Sequence, residues 1–215
     1  MGRKAVIIIF VVLVIDQVSK IWIKTNMHLD ESIAVFGDWF FIHFIENPGM
    51  AFGLEFGGET GKIFLSLFRI VAIIFIGIYL RGLIKKSAPW GLIVSVALVF
   101  AGAAGNIIDS TIYGLIFSES PPLPTVASMF PEGGGYSSIL QGKVVDMLYF
   151  PILDTNWPEW VPWLGGDRLQ FFRPIFNVAD SSITVGMALI LINQKRFFKE
   201  DAKSGDQIEA EQNSE

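Results

Sequence analysis

Two aspartates stand where an acid–base pair would be useful. Asp146 lies in Val144-Val145-Asp146, where a hydrophilic stretch ends, and Asp180 lies in Phe176-Asn177-Val178-Ala179-Asp180-Ser181, where the last long apolar run begins. A carboxylate at a membrane boundary is costly to desolvate and is usually kept for a task. Two of them close together cannot both ionise readily, so they can share one proton and activate a water molecule. Asp180 also fits a plainer role. With Asn177 as the cap, an acidic residue in the first turn complements the helix dipole.

Other chemistry finds less support. His28 and His43 are the only histidines, and neither falls in a His-Glu-x-x-His pattern, so a zinc protease is not expected. Gly-x-Ser-x-Gly is absent, which argues against a hydrolase nucleophile elbow. Ser19 and Lys20 are adjacent on a helix and point apart. The chain has no cysteine, so thiolate catalysis, disulfides and cysteine-ligated zinc are excluded. No glycine-rich phosphate loop occurs, and no metal or cofactor is expected. Acid–base work falls to carboxylates.

The elements that must carry these residues are membrane helices. Of 215 residues, 52% are apolar, and the mean hydropathy is +0.51, too apolar for an ordinary soluble domain. Four segments approach the roughly 20 residues that span a bilayer, near 5–24, 63–84, 90–109 and 177–194. The first is expected to be retained as a span, because no small-x-small cleavage site follows it. Nine basic residues flank the inner ends (Arg3, Lys4, Arg81, Lys85, Lys86, Lys195, Arg196, Lys199, Lys203), against five on the other side (Lys24, Lys62, Lys143, Arg168, Arg173). That asymmetry predicts both termini in the cytoplasm and both long loops, 25–62 and 110–175, outside. The fold class expected is membrane α-helical: four transmembrane helices, a small extracytoplasmic β-rich cradle and a long second outer loop.

Loop one carries β-prone, aromatic stretches at 34–36 and 39–45, with turn signals at Asn47-Pro48-Gly49 and Gly57-Gly58. Loop two is broken by Pro121-Pro122-Leu123-Pro124 and Gly133-Gly134-Gly135, and Trp157, Trp160 and Trp163 suggest an amphipathic segment in the interface. Residues 1–199 read as one domain, and 200–215 as a charged, disordered tail. No basic patch interleaved with aromatics appears, so nucleic acid is not an expected partner.

Further polar residues collect at the outer level. Asn106 and Asp109 share a helix face, Asn177 opens the last span, and Asp16 and Lys20, four apart, can pair along the first. That pair reads best as a buried tie between helices, with Arg69 a further partner. Glu46 and Asn47 read as site-shaping. An alternative class, a carrier using Asp16, Lys20 and Arg69 as an ion path, is weakened by the absence of a repeat and by the position of the polar cluster at one surface.

Five stretches, in order, resemble the lipoprotein signal peptidases (signal peptidase II), aspartyl proteases of bacterial membranes. They are Asp16-Gln17-Val18-Ser19-Lys20, Asn47-Pro48-Gly49-Met50-Ala51-Phe52-Gly53, the run Ala101-Gly102-Ala103-Ala104-Gly105-Asn106-Ile107-Ile108-Asp109, Val144-Val145-Asp146, and Phe176-Asn177-Val178-Ala179-Asp180-Ser181. The resemblance covers roughly 5–198, excluding the middle of loop two. It implies that Asp146 and Asp180 are the catalytic dyad, that Asn106, Asp109 and Asn177 shape the site, and that Asp16, Lys20 and Asn47 support it or touch substrate. It implies hydrolysis of prolipoproteins before a lipid-modified cysteine, by a monomer of the cytoplasmic membrane with lipid as its surroundings. Two departures stand out. The family usually has arginine after the aspartate matching Asp109, where this chain has Ser110; Arg168 and Arg173 are candidates to take its task. About 35 residues separate Asp109 from Asp146, where the family usually has a short link.

Overall fold

The computed structural model describes residues 1–48, 58–121, 125–151, 153–163, 165–171 and 174–197. The turn signals at Gly49 and Gly57, most of the Asn47–Gly53 motif, Pro122 to Pro124, Arg173 and the tail 200–215 lie outside the described residues.

Three described helices are long and apolar enough to cross a membrane, at Gly2–Asn26, Thr60–Lys85 and Trp90–Ile116. Helix α1 is Gly2–Asn26, α2 is Gly58–Lys85 and α3 is Trp90–Ile108. A π-helical turn, Asp109–Tyr113, and a three-residue turn, α4 (Gly114–Ile116), prolong α3, so the second long loop starts later than residue 110. The last helix, α5, is Val178–Phe197. Outward faces stay apolar: Val6, Phe10, Val14, Val18 and Trp22 on α1, and Phe64, Phe68, Val71, Phe75 and Ile78 on α2, are exposed. Such faces are stable only where the surroundings are as apolar as they are.

Helix α3 is central and packs most extensively on α5, then on α1 and α2. Small residues permit this approach. A Cβ added at Gly105 would lie 2.6 Å from Asp16 Oδ2, and one at Gly186 would lie 2.6 Å from the Ser95 carbonyl oxygen.

The sheet draws on both long loops. Strands β1 (Ser32–Phe36), β2 (Phe40–Asn47), β3 (Val144–Tyr149) and β6 (Ile175–Phe176) run antiparallel in that order. Strands β4 (Leu153–Asn156) and β5 (Arg168–Phe171) form a separate hairpin. Phe36, Phe40, Phe150 and Phe176 stack in sequence across the sheet. The tryptophans at 157, 160 and 163 do not line one face of a helix. They fall in the turns between β4 and β5, with Trp163 97% exposed and in the left-handed region at φ 63°. Two prolines and two glycines in that stretch rule out a continuous helix.

The apolar core has two parts. One joins Ala5, Leu80, Leu83, Leu92, Ile93, Val96 and Ala97. The other joins Ile23, Met27, Phe44, Tyr113, Phe117, Val145 and Met147, under the sheet. Asp16, Lys20 and Asp109, all buried, lie between them along the helices.

Candidate active site

Strand pairing positions Asp146. In β3, Asp146 lies opposite Ile45 of β2, and Asn47 lies opposite Val144. The other edge of β3 pairs Leu148 with Phe176, and two residues beyond, the chain turns into α5. The short strand β6 therefore delivers the start of α5 alongside Asp146.

Asn177 and Asp180 cap α5 reciprocally. Asp180 N donates to Asn177 Oδ1 at 2.9 Å, and Asn177 N donates to Asp180 Oδ2 at 3.3 Å. This satisfies N–H groups that the first turn would leave orphaned. The capping role expected of these residues is present, but it does not use up their side chains. Asn177 Nδ2 donates to Asp146 Oδ1 at 2.7 Å and to Asn106 Oδ1 at 3.1 Å. Asn106 Nδ2 donates to Asp180 Oδ1 at 2.7 Å, and Asn47 Nδ2 donates to Asp146 Oδ2 at 3.2 Å. Asp146 and Asp180 are thus linked through neutral amides. Asp146 is 2% exposed. Burial, then the charge of Asp180, push its carboxyl up to about 7, against the opposing pull of Asn47, Asn177 and Lys20. Arg69 of α2 lies within electrostatic reach of Asp180 and Asp146. Beside Asp180 opens a groove of about 430 Å³, lined by Pro174, Phe176, Ser181, Thr184 and Val185.

A second cluster underlies the first. Lys20 Nζ lies 2.9 Å from Asp16 Oδ2 and 2.8 Å from Asp109 Oδ2, all three fully buried, and donates to Asn106 Oδ1 at 3.0 Å. Asp16 Oδ1 accepts Ala179 N at 2.9 Å, which ties α1 to α5. Gln17 Nε2 donates to Asp109 Oδ1 at 2.9 Å, and Tyr113 donates to Gln17 at 3.1 Å. The π turn widens the helix at Asp109 and turns Asp109, Ser110 and Tyr113 inward. Ser19 Oγ donates to the Asp16 carbonyl of its own helix, away from Lys20.

The structure therefore gathers Asn47, Asn106, Asn177, Asp146 and Asp180 in one network, and Asp16, Lys20 and Asp109 in the adjoining one. Arg69, expected as a further partner of Asp16 and Lys20, lies within electrostatic reach of the upper pair of carboxylates. Arg168 lies in β5, outside the main sheet, and among the described residues Ser110 donates to the Asn106 carbonyl, at 3.1 Å. Sequence reasoning gave no role to Lys24, Ser120 or Lys143, which surround Glu46. The four-residue spacing of Asp16, Lys20 and Lys24 on one helix face was the available signal.

A profile of the signal peptidase (SPase) II family matches residues 8–196. The lipoprotein signal peptidase of Porphyromonas gingivalis is 48% identical over 192 residues, 89% of this chain and 82% of that protein. That of Amoebophilus asiaticus is 38% identical, covering 85% of this chain and 73% of its own. A solved bacterial membrane enzyme superposes with a TM-score of 0.56 at 28% identity, over 89% of this chain and 92% of that one. With both the profile and these relatives spanning most of its length, this chain belongs to the signal peptidase II family.

Proposed function

We propose that this chain is an aspartic-type endopeptidase that removes signal peptides from prolipoproteins, cutting before a diacylglyceryl-modified cysteine. The single observation that carries the aspartic reading is the buried Asp146 carboxyl. It is held near neutrality next to Asp180, with Asn177 and Asn106 bridging the two.

The chemistry follows from that asymmetry. Asp146 carries the shared proton. Asp180, which accepts from Asn106 and from the Asn177 backbone, is the ionised partner. Asp180 takes a proton from water as its oxygen attacks the scissile carbonyl carbon, and Asp146 gives its proton to the carbonyl oxygen. The tetrahedral diol then breaks its C–N bond as Asp180 returns a proton to the leaving amine, and Asp146 recovers its own from the diol. No metal or other cofactor enters this scheme.

The same reading makes α5 a fourth span, packed along α3 with Val185, Met187, Leu191 and Ile192 facing outward. It treats the four-stranded sheet as an extracytoplasmic cradle over the site. The basic-residue asymmetry supports termini in the cytoplasm of a bacterium and a site near the outer face of the cytoplasmic membrane. Residues 1–199 act as one domain, a monomer whose partners are lipid-modified prolipoproteins and membrane lipids. A carrier role for Asp16, Lys20 and Arg69 is not favoured, since Asp16, Lys20 and Asp109 are 0% exposed and satisfy one another.

The test is incubation of the purified, detergent-solubilised protein with a diacylglyceryl-modified prolipoprotein, beside its Asp146→Asn and Asp180→Asn forms. Cleavage before the modified cysteine by wild type alone is the expected result. Substantial turnover by either variant removes that residue from the pair.

A further inference from the structure

Outside the two networks already described lies a third buried polar cluster, and it belongs to the long segment between Asp109 and Asp146. Lys24, fully buried at the end of α1, is paired with Glu46 of β2. Three residues from the long segment close around that pair. Ser120 Oγ accepts from Lys24 Nζ at 2.7 Å and donates to Glu46 Oε1 at 2.7 Å. Lys143 Nζ lies 3.2 Å from Glu46 Oε2. The Tyr136 ring lies 5.0 Å from Lys24 Nζ and 5.5 Å from Lys143 Nζ, and its hydroxyl accepts Lys143 N at 2.7 Å.

Burial alone would raise the Glu46 carboxyl; Lys24, then Ser120 and Lys143, outweigh it and hold it below the usual range. Glu46 is therefore a fixed anion in a cage, and the next residue is Asn47, whose Nδ2 reaches Asp146. Beyond an irregularity between Ile42 and Ile45, β2 pairs Ile45, Glu46 and Asn47 with Asp146, Val145 and Val144, so the ladder sets the backbone here and the cage bears on the side chains that project from it. The same segment also grips α2: Lys62 Nζ donates to the Gln141 carbonyl at 2.5 Å and Ser66 Oγ to the Leu140 carbonyl at 3.0 Å.

We infer that the long segment is a positioning clasp: Ser120, Tyr136 and Lys143 lock the Lys24–Glu46 pair and thereby hold Asn47 on Asp146. Lys24, Glu46, Ser120 and Lys143 are positioning residues that touch neither substrate nor the reacting atoms. The inference rests on the reading of Asp146 as one of the two acid–base groups.

The test uses the full-length protein in detergent and a diacylglyceryl-modified prolipoprotein, with kcat, KM and the pH profile measured for each form. The variant Ser120→Ala/Lys143→Met cuts the clasp and leaves the buried Lys24–Glu46 pair intact. Lys143→Met alone, at a side chain 31% exposed, repeats the test more gently if the double form does not accumulate. Asn47→Ala sets the reference. The expected result is a kcat about tenfold lower with KM within about twofold, the signature of lost positioning.

The alkaline limb should also move up by about one pH unit, because a donor that favours the Asp146 carboxylate has been loosened. Asn177, Asp180, Lys20 and Arg69, which also act on Asp146 or share its field, are untouched, and Ser120→Ala alone, which removes no charge, separates the loss of the Lys143 cation from the loosening of Asn47. Adding the clasp variant to Asn47→Ala should cost nothing further. An unmoved pH limb, a change confined to KM, or losses that add to those of Asn47→Ala would each overturn the clasp. Turnover by Asp146→Asn would instead overturn the aspartic reading beneath it.

Discussion

Two groups of carboxylates share this protein, and they are held by different chemistry. Asp16 and Asp109 both contact the Lys20 ammonium within 2.9 Å. Asp146 and Asp180 are held by Asn47, Asn106 and Asn177, with Arg69 acting on them through space. A contacting cation ties a carboxylate into an ion cluster and makes it part of the frame. A neutral amide lets a carboxylate keep or lose a proton with little rearrangement. The lower cluster is a strut between α1, α3 and α5; the upper one is left able to exchange protons. Asn106 joins them, accepting from Lys20 while donating to Asp180.

The contrast can be broken at several points, in descending order of effect. Asp146→Asn or Asp180→Asn should lower kcat by about a thousandfold or more, as loss of general acid–base catalysis does, with no fall in the thermal unfolding temperature in detergent. Lys20→Met should do the reverse. Removing one partner from a buried ion cluster costs about 3–5 kcal/mol, so unfolding by heat should occur far earlier and membrane accumulation should fall. A Lys20→Met protein as stable as wild type would mean that the strut is not a strut.

Asn177→Ala should combine both losses. It removes the cap of α5, worth about 1 kcal/mol, and the amide joining the carboxylates, so kcat should drop about 10–100-fold by misplacement of the pair. Asn177→Asp should restore neither, since it keeps a capping oxygen but sets a third, fully buried carboxylate against the oxygens of Asp146, Asn106 and Val145.

The smallest effect is that of pH. Turnover should fall as pH rises through about 7, where Asp146 loses its proton, the limb belonging to the pair as a whole. Stability has the same sign. A carboxyl whose value is raised on folding from 3.8 to about 7 stabilises the fold fully below the lower value and loses that contribution as pH rises through the upper one. The unfolding temperature of wild type, compared with Asp146→Asn, should decline across that window. A flat difference would place Asp146 in a more solvated setting than its burial indicates.

Much of this was legible in the chain. Apolar runs announced α1, α2 and α3, and periodicity put Asp16 and Lys20 on one face, because both signals are local. Asn177 and Asp180 at the start of α5 were legible for the same reason: capping needs only neighbours in sequence. The sheet was half visible. The strands of the first loop were expected, but β3 and β6 were not assigned as their partners, since a two-residue strand has no pattern to read. Arg69 was set beside Asp16 and Lys20 because sequence cannot say which side of α3 receives α2. The cage around Glu46 was missed because its members come from α1, β2 and a segment about 100 residues away in sequence.

By itself, then, the sequence determined the membrane character of the chain, its helices, the polar residues gathered at one end of them and the five motifs of its family. These depend on composition, short-range periodicity and the order of residues. Only the tertiary structure decided that two carboxylates face neutral amides while two others face a lysine, and that the long second loop reaches back to Glu46. Those outcomes depend on which elements pack together and at what register, and no local pattern encodes that choice.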